Sequence, residues 1–396
     1  MNNFWTLVRF ELKKILSRKI TWIAFGIVFT VMLFFGFYRA IVSHEVDGMR
    51  ITAHEEEMQA KAEIKKIAGR QVNDELVADM LSAVETDAFA SYEVLYKELV
   101  GDLCGNVKDY KSLTDAKVAL GVPAEDDIIY TMRQRGLEKS FDGQKLSEGE
   151  KAYWLEKLEQ SEFPWTYEYY KGPDFAWVAA YTAIVLIALM IAVSLANLFA
   201  DEHQKKTDQL VLCSRNGKKV LYRAKITAGM LFTVVSSGLV LFVTAVPQLI
   251  MFGTDGLHAP IQLMAPKSLI QMTFGQMIIY TYVISIIASM LYAAITMCCS
   301  ELFRNSTVAV MALITVLVLV PMIVMVPYEY RVLSQIFDLN PINVIAIWSA
   351  TDYRLVPFFG TYLNVYQVAP VLYVFLILVF GFVGGKAYKR YQVSGR

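Results

Sequence analysis

Residues 20–42 run for 23 positions with Arg39 as the single charge, and Arg9, Lys13, Lys14, Arg18 and Lys19 crowd the stretch before them. As a helix, a run of this length covers the ~30 Å hydrocarbon core of a bilayer, where every backbone polar group must be paired internally. The basic flank predicts that the N-terminal side stays in the cytoplasm. A cleaved signal peptide would show a shorter apolar region and a small-residue cleavage site. Neither is visible, so the span is expected in the mature protein.

Hydropathy places five further spans at about 175–199, 226–252, 271–299, 307–327 and 367–387, which makes six and puts both termini in the cytoplasm. With 56% hydrophobic and 19% charged residues in 396, the expectation is an all-α polytopic membrane protein, multi-pass in the cell membrane. Its domains are a cytoplasmic amphipathic helix at 1–19, a first span at 20–42, an extracytoplasmic domain at 43–173, and spans two to six within 174–396. The net charge of zero hides a segregation: residues 43–173 carry 27 acidic and 16 basic side chains, and the remainder 10 and 21. Acid outside and base inside is the pattern of a chain threaded through a bilayer. Because the basic residues flank spans and form no soluble patch, a nucleic-acid partner is not expected.

The domain at 43–173 is read as mainly helical, with helices over 53–68, 74–100 and 146–160. Of the four cysteines, Cys104 alone faces outside in this topology, and Cys213, Cys298 and Cys299 lie at or near the cytoplasmic side, so no internal disulfide is available to that domain. The adjacent Cys298 and Cys299 suit packing better than metal binding. Residues 4–19 read as an amphipathic helix with Phe4, Trp5, Val8, Leu12, Ile15 and Leu16 on one face and Arg9, Lys13 and Arg18 pointing away. Residues 328–366 are too apolar for a free loop yet broken by Asn340-Pro341, which predicts short re-entrant or interfacial helices. Aromatics such as Tyr328, Trp348, Tyr353 and Tyr366 there fit an interfacial belt.

No Gly-x4-Gly-Lys-Ser/Thr loop exists, since Gly217-Lys218-Lys219 lacks both the leading glycine and the hydroxyl residue. Any ATP chemistry must come from another chain. Paired His/Cys spacings for zinc and a Gly-x-Ser-x-Gly elbow are equally absent, and His44, His54, His203 and His258 are scattered. Glu55-Glu56-Glu57 cannot converge on one ion from a helix, because neighbouring side chains diverge by about 100°. The span interiors hold essentially no ionisable group, which argues against a proton- or sodium-coupled carrier. Ser285, Ser289, Thr296, Gln271 and Gln276 are the polar candidates for a pathway lining or for helix-packing contacts.

After the second span the chain reads Phe199-Ala200-Asp201-Glu202, then Thr207, Leu210-Val211-Leu212, Ser214-Arg215 and, further on, Lys225. A helix that leaves the membrane, turns, and continues with Leu210, Val211 and Leu212 on one side presents a docking surface to a cytoplasmic partner. This segment resembles the Phe-x-x-Glu, Gly-Thr, Leu-Leu, Ser-Pro/Arg and Lys pattern of type-2 ATP-binding-cassette (ABC) exporter permeases. Lys206 stands where that pattern has Gly, and Asn216-Gly217 where Pro is common. The N-terminal helix, with Trp5, Arg9, Leu12 and Lys13, is similar to the family's connecting helix, and Asp338-Leu339-Asn340-Pro341 to the turn before its last span. The insert between spans one and two is similar to the subset with an external domain there.

The resemblance implies a permease subunit that moves an amphiphilic, peptide or lipid-like, substrate outward. It implies no cofactor on this chain, ATP and Mg on a separate cytoplasmic ATPase subunit, and a second permease subunit, identical or paralogous, in a lipid bilayer. The implied ATPase-coupling residues are Glu202, Thr207, Leu210, Leu212 and Arg215, and Asn340, Pro341 and Trp348 would form the external rim. The competing class is a membrane-anchored sensor or immunity protein whose external domain binds a peptide without transport; a secondary carrier ranks third.

Overall fold

The computed structural model describes residues 2–46, 48–204 and 219–390. Its helices long and apolar enough to cross a membrane are Lys19–Ile41, Lys171–Glu202, Val220–Phe252, Phe274–Phe303 and Val365–Arg390, five among the described residues. We label the elements in chain order. Helix α1 (Asn2–Leu16) leads into α2 (Lys19–Ile41). A hairpin of β1 (Ser43–Val46) and β2 (Met49–Thr52) opens the insert, followed by α3 (Ala53–Ile64) and α4 (Asp74–Ala83). After short turns over 87–109 come α5 (Leu113–Leu120), α6 (Ile128–Gly143) and α7 (Glu148–Glu159).

Helix α8 (Lys171–Leu195) then re-enters the bundle and runs on, through Ala196, into α9 (Asn197–Gln204). It is followed by α10 (Val220–Phe252) and α11 (Phe274–Phe303). The segment expected to span at 307–327 is helical only over 306–323. It divides into α12 (Ser306–Leu313), a π-helical stretch (Ile314–Leu319) and one last turn (Val320–Ile323) that carries Pro321. Proline supplies no N–H to an α-helical ladder, and a π turn is one way to absorb that gap. At 1.5 Å per residue these 18 residues reach about 27 Å, just short of the hydrocarbon core. Next come α13 (Arg331–Asp338), α14 (Pro341–Ile345), a hairpin of β3 (Val356–Phe358) and β4 (Thr361–Leu363), and α15 (Val365–Arg390).

Helix α8 is the axis of the bundle and packs on α2, α10 and α11, while α11 also carries α12 and α15. Small residues make this possible: Ala176, Ala180, Ala183, Ala188 and Ala192 are all buried along α8 and let neighbouring backbones approach. On α2, a Cβ at Gly36 would sit 2.9 Å from the Pro247 ring of α10, so only glycine permits that contact. The outer faces are apolar and open, with Ile23, Ile27 and Phe34 on α2 and Phe375, Leu378 and Phe382 on α15 more than half exposed. Such faces require lipid or another membrane chain against them.

The insert has its own core, in which Leu76, Val77, Leu99, Val100, Ile128 and Ile129 are fully buried. Its helices α4 and α6 cap one another: Asp74 Oδ1 accepts from the Ile128 N–H at 2.9 Å, and Asp127 Oδ2 from the Asp74 N–H at 3.0 Å. Two expectations change here. The helix expected over 74–100 is interrupted: it stops at Ala83, passes a short turn at Asp87–Ser91 and resumes over 93–104 with a π-helical stretch at Tyr96–Val100. The hairpins at 43–52 and 356–363 were not expected. Cys104 is buried, and burial pushes its thiol up to about 12.

Candidate functional site

At the end of the bundle that bears α1, five charged side chains from three helices meet a sixth, Arg18, from the turn after α1. Lys225 on α10, with no exposed side-chain surface, places Nζ 2.7 Å from Glu202 Oε1 and 3.3 Å from Glu11 Oε2. It also donates to the Leu198 carbonyl at 3.0 Å and lies 5.3 Å from the Phe199 ring centre. Lys14 Nζ reaches the same Glu202 oxygen at 2.7 Å, and Arg18 Nη2 bonds Asp201 Oδ2 at 2.9 Å and the Asn197 carbonyl at 3.0 Å. Three cations thus face three carboxylates. Burial alone would lower the Lys14 pKa, but its hydrogen bond to Glu202 and the attraction of Glu202 and Glu11 outweigh that, and the pKa is raised.

The local reasons are visible in the elements. Glu11, Lys14 and Arg18 fall on the side of α1 and its following turn that also carries buried Val8 and Ile15, and this side lies on α10. Ser300 of α11 holds the α8–α9 joint, donating to the Ala196 carbonyl at 2.5 Å and accepting from the Ala200 N–H at 3.1 Å. Phe199, Tyr222 and Tyr388 pack ring on ring beside it, linking α9, α10 and α15. The arrangement is a clamp: a displacement of α1 must be passed to α9 and α10 or break buried ion pairs, which is costly.

Of the expected coupling residues, Glu202 is therefore buried within the clamp, and it is not a loop residue whose charge could be reversed harmlessly. Thr207, Leu210, Leu212 and Arg215, with Cys213, lie outside the described residues. In α1, Arg9 and Lys13 are exposed, Leu12 is half-buried, and Trp5 is exposed, so the packed face differs from the expected one by Trp5 and Leu16, which point outward. Helix α10 begins at Val220, six positions before the expected span, and this brings Lys225 into the helix. Arg18, expected to point away, instead turns in to Asp201, and although Asp201 and Lys225 belong to the pattern read after the second span, their meeting with Glu11, Lys14 and Arg18 was missed. The available signal was the polar interruption of an apolar helix face by Glu11 and Lys14.

The opposite end of the bundle is covered by the insert. Arg133 of α6 is fully buried; Nε donates to the Pro266 carbonyl at 2.9 Å and Nη2 to the Ser268 carbonyl at 3.1 Å, in the loop between α10 and α11. Burial pulls its pKa down to about 10. Glu150 of α7 pairs with Arg331 and accepts from the Leu355 N–H at 2.7 Å, and Trp154 Nε1 donates to the Tyr353 carbonyl at 2.5 Å. Burial tends to raise the Glu150 pKa, but the Leu355 and Ser147 hydrogen bonds and Arg331 together lower it. Lys61 bridges to Asp255 at 2.6 Å and to the Phe252 carbonyl at 2.9 Å. The insert thus grips both loops at this end.

The expected rim residues sit under it. Asn340 caps α14 by accepting from the Ile342 N–H, Pro341 is buried, and exposed Trp348 packs edge-on against Tyr181. Residues 341–345 dip into the top of the bundle against α8, α11 and α15. The polar candidates do not converge on a pathway. Ser285, Ser289 and Thr296 turn their hydroxyls back to carbonyls four residues earlier, Gln271 bonds the Lys157 carbonyl, and Gln276 completes a capping box with Thr273.

A helical multi-pass membrane protein with an apolar exterior, a clamped N-terminal helix and a loop-capping insert is the class these features define. The family described as ABC-2 family transporter protein matches residues 5–370, and the chain belongs to it. No curated protein and no solved structure matches the chain. Family membership makes it the membrane subunit of an ABC transporter, a class that normally pairs with a cytoplasmic ATPase subunit.

Proposed function

We propose that the chain is the permease subunit of an ATP-driven exporter, working with a second permease subunit and a separate ATPase that binds ATP and Mg. The α1 end of the bundle faces the cytoplasm, and the insert faces outside. Segment 201–215 couples to the ATPase, and the α1 clamp carries the movement into α8 and α10, so that an amphiphilic substrate, peptide or lipid-like, leaves beneath the insert. Residues 306–323 serve as the sixth span. The observation that carries the reading is the buried Lys225–Glu202–Lys14 contact, which fixes the N-terminal helix to the helix that leads into the expected coupling segment.

The test is purification of the tagged full chain in mild detergent with its native neighbours, followed by identification of the chains retained. An ATPase subunit near equal stoichiometry, with ATP hydrolysis in the purified complex, is the expected result. A folded protein that holds no ATPase but binds an extracellular peptide would replace this reading with that of a sensor.

A further inference from the structure

At the α1 end, α10 and α15 diverge and leave a groove of about 850 Å³, within the ~300–1,000 Å³ range of small-ligand sites. Its walls are apolar, with Ile226, Met230, Ile377 and Phe382, and Tyr222 forms its floor. That floor is fixed: Tyr222 Oη donates to the Gly381 carbonyl at 2.7 Å, and the ring packs on Phe199 and Tyr388. The rim is cationic, made of Lys219, Arg223, Lys386, Lys389 and Arg390, and among the described residues no carboxylate lines the groove. All five cations are exposed, and none forms an ion pair with a described residue. Elsewhere in the chain, exposed lysines such as Lys66 and Lys97 do pair with carboxylates.

We propose that this groove binds an anionic glycerophospholipid of the adjoining leaflet. The acyl chains lie along the apolar walls of two membrane-crossing helices, and the phosphate meets the rim cations, which pair with no carboxylate among the described residues, at the helix ends. Clustered basic residues next to spans are the known means of attracting anionic headgroups. A soluble anion would use the rim but has no use for the walls; a neutral lipid would use the walls but not the rim. At the groove-lining Gly381 a Cβ would meet no atom within 4 Å, so a side chain placed there has open space to enter. The inference rests on α10 and α15 crossing a membrane and is independent of the direction of transport.

Native mass spectrometry of the full-length protein, delipidated in detergent and titrated with phosphatidylglycerol or phosphatidylcholine of equal chain length, tests it. Wild-type protein should bind phosphatidylglycerol roughly tenfold more tightly, as expected when two or more rim cations engage the headgroup. Gly381→Phe keeps every charge and fills the groove, and should remove most of that binding. Leu378→Trp, at an exposed groove position, is a second filling variant should the first fold poorly. Lys386→Gln with Lys389→Gln should abolish the preference and leave phosphatidylcholine binding unchanged. Equal binding of both lipids by the wild type would overturn the proposal. So would undiminished phosphatidylglycerol binding in the filled variants, which would reveal surface attraction alone, or displacement of the lipid by millimolar inorganic phosphate.

Discussion

Lys225 Nζ lies 2.7 Å from Glu202 Oε1, so the start of α10 is joined to the end of the helix that begins at Lys171 by a buried ion pair. The same carboxylate oxygen takes Lys14 at 2.7 Å, so one atom links three helices. Removing one partner of a buried pair strands the other charge, whereas removing both does not. Lys225→Met or Glu202→Gln alone should therefore destabilise the detergent-solubilised protein by about 3–5 kcal/mol. The double variant should lose less than the sum of the two, by at least ~1 kcal/mol. Thermal unfolding followed by intrinsic fluorescence gives all three values, and strict additivity would show that the contact carries no energy.

Arg133 should be the attachment point of the insert. Arg133→Met keeps most of the side-chain length but leaves the Pro266 carbonyl without a donor and the Ser268 carbonyl with only the longer 3.4 Å bond from Gln262 Nε2, at a cost of about 2–4 kcal/mol for two charge-assisted hydrogen bonds. Hydrogen exchange should rise in 253–273 and in α6 while the α1 end is unchanged. Equal protection in the variant and the wild type would place the attachment elsewhere.

Glu150 should make the grip on 331–355 sensitive to acid. Its folded-state pKa is lowered by the Leu355 and Ser147 hydrogen bonds and by Arg331, against the opposing effect of burial. Its contribution is therefore present above the ordinary glutamate value of about 4.3 and is lost as pH falls through the lowered folded value. The protection of 331–355 against hydrogen exchange, taken relative to the intrinsic rate at each pH, should fall below about pH 4 in the wild type. In Glu150→Gln the loop should exchange faster already at pH 7, with a flatter response to acid. A wild-type loop whose protection does not change with acid would refute this.

Five of the six expected spans and the insert as a separate body were legible because both rest on composition: apolar runs such as 20–42 and 367–387 have few alternatives to crossing a bilayer, and the acidic excess of 43–173 marks the insert. The equally apolar run at 307–327, by contrast, is helical only over 306–323. The clamp was not. Lys225 and Glu11 are 214 residues apart, and only the packing of α1 on α10 brings them together. The failure on α1 was one of angle: Trp5 and Leu16 belong to an outward apolar face, while the packed face accepts Glu11 and Lys14 because their charges are paired. Cys104 taught the same lesson. The expected topology put it on the outer side of the membrane but said nothing of its burial, and it lies in the insert core, useless as a surface probe.

Topology needs an open position instead. Val118 on α5 is 76% exposed and Arg223 on α10 is also exposed. In a cysteine-free background, Val118→Cys should react with an impermeant thiol reagent in intact cells, and Arg223→Cys should react only after permeabilisation. The reverse pattern would invert the proposed orientation.

The central claim, that ATP moves the bundle through its N-terminal helix, is tested most directly by a distance across the α1 end. Spin labels at Arg9→Cys on α1 and Lys386→Cys on α15, both exposed, report it in the reconstituted complex with its ATPase subunit. Vanadate trapping with ATP and Mg should shift the distance distribution by several ångström, and Lys225→Met should abolish the shift while ATP is still hydrolysed. Identical distributions in the nucleotide-free and trapped complexes, with hydrolysis intact, would contradict the account.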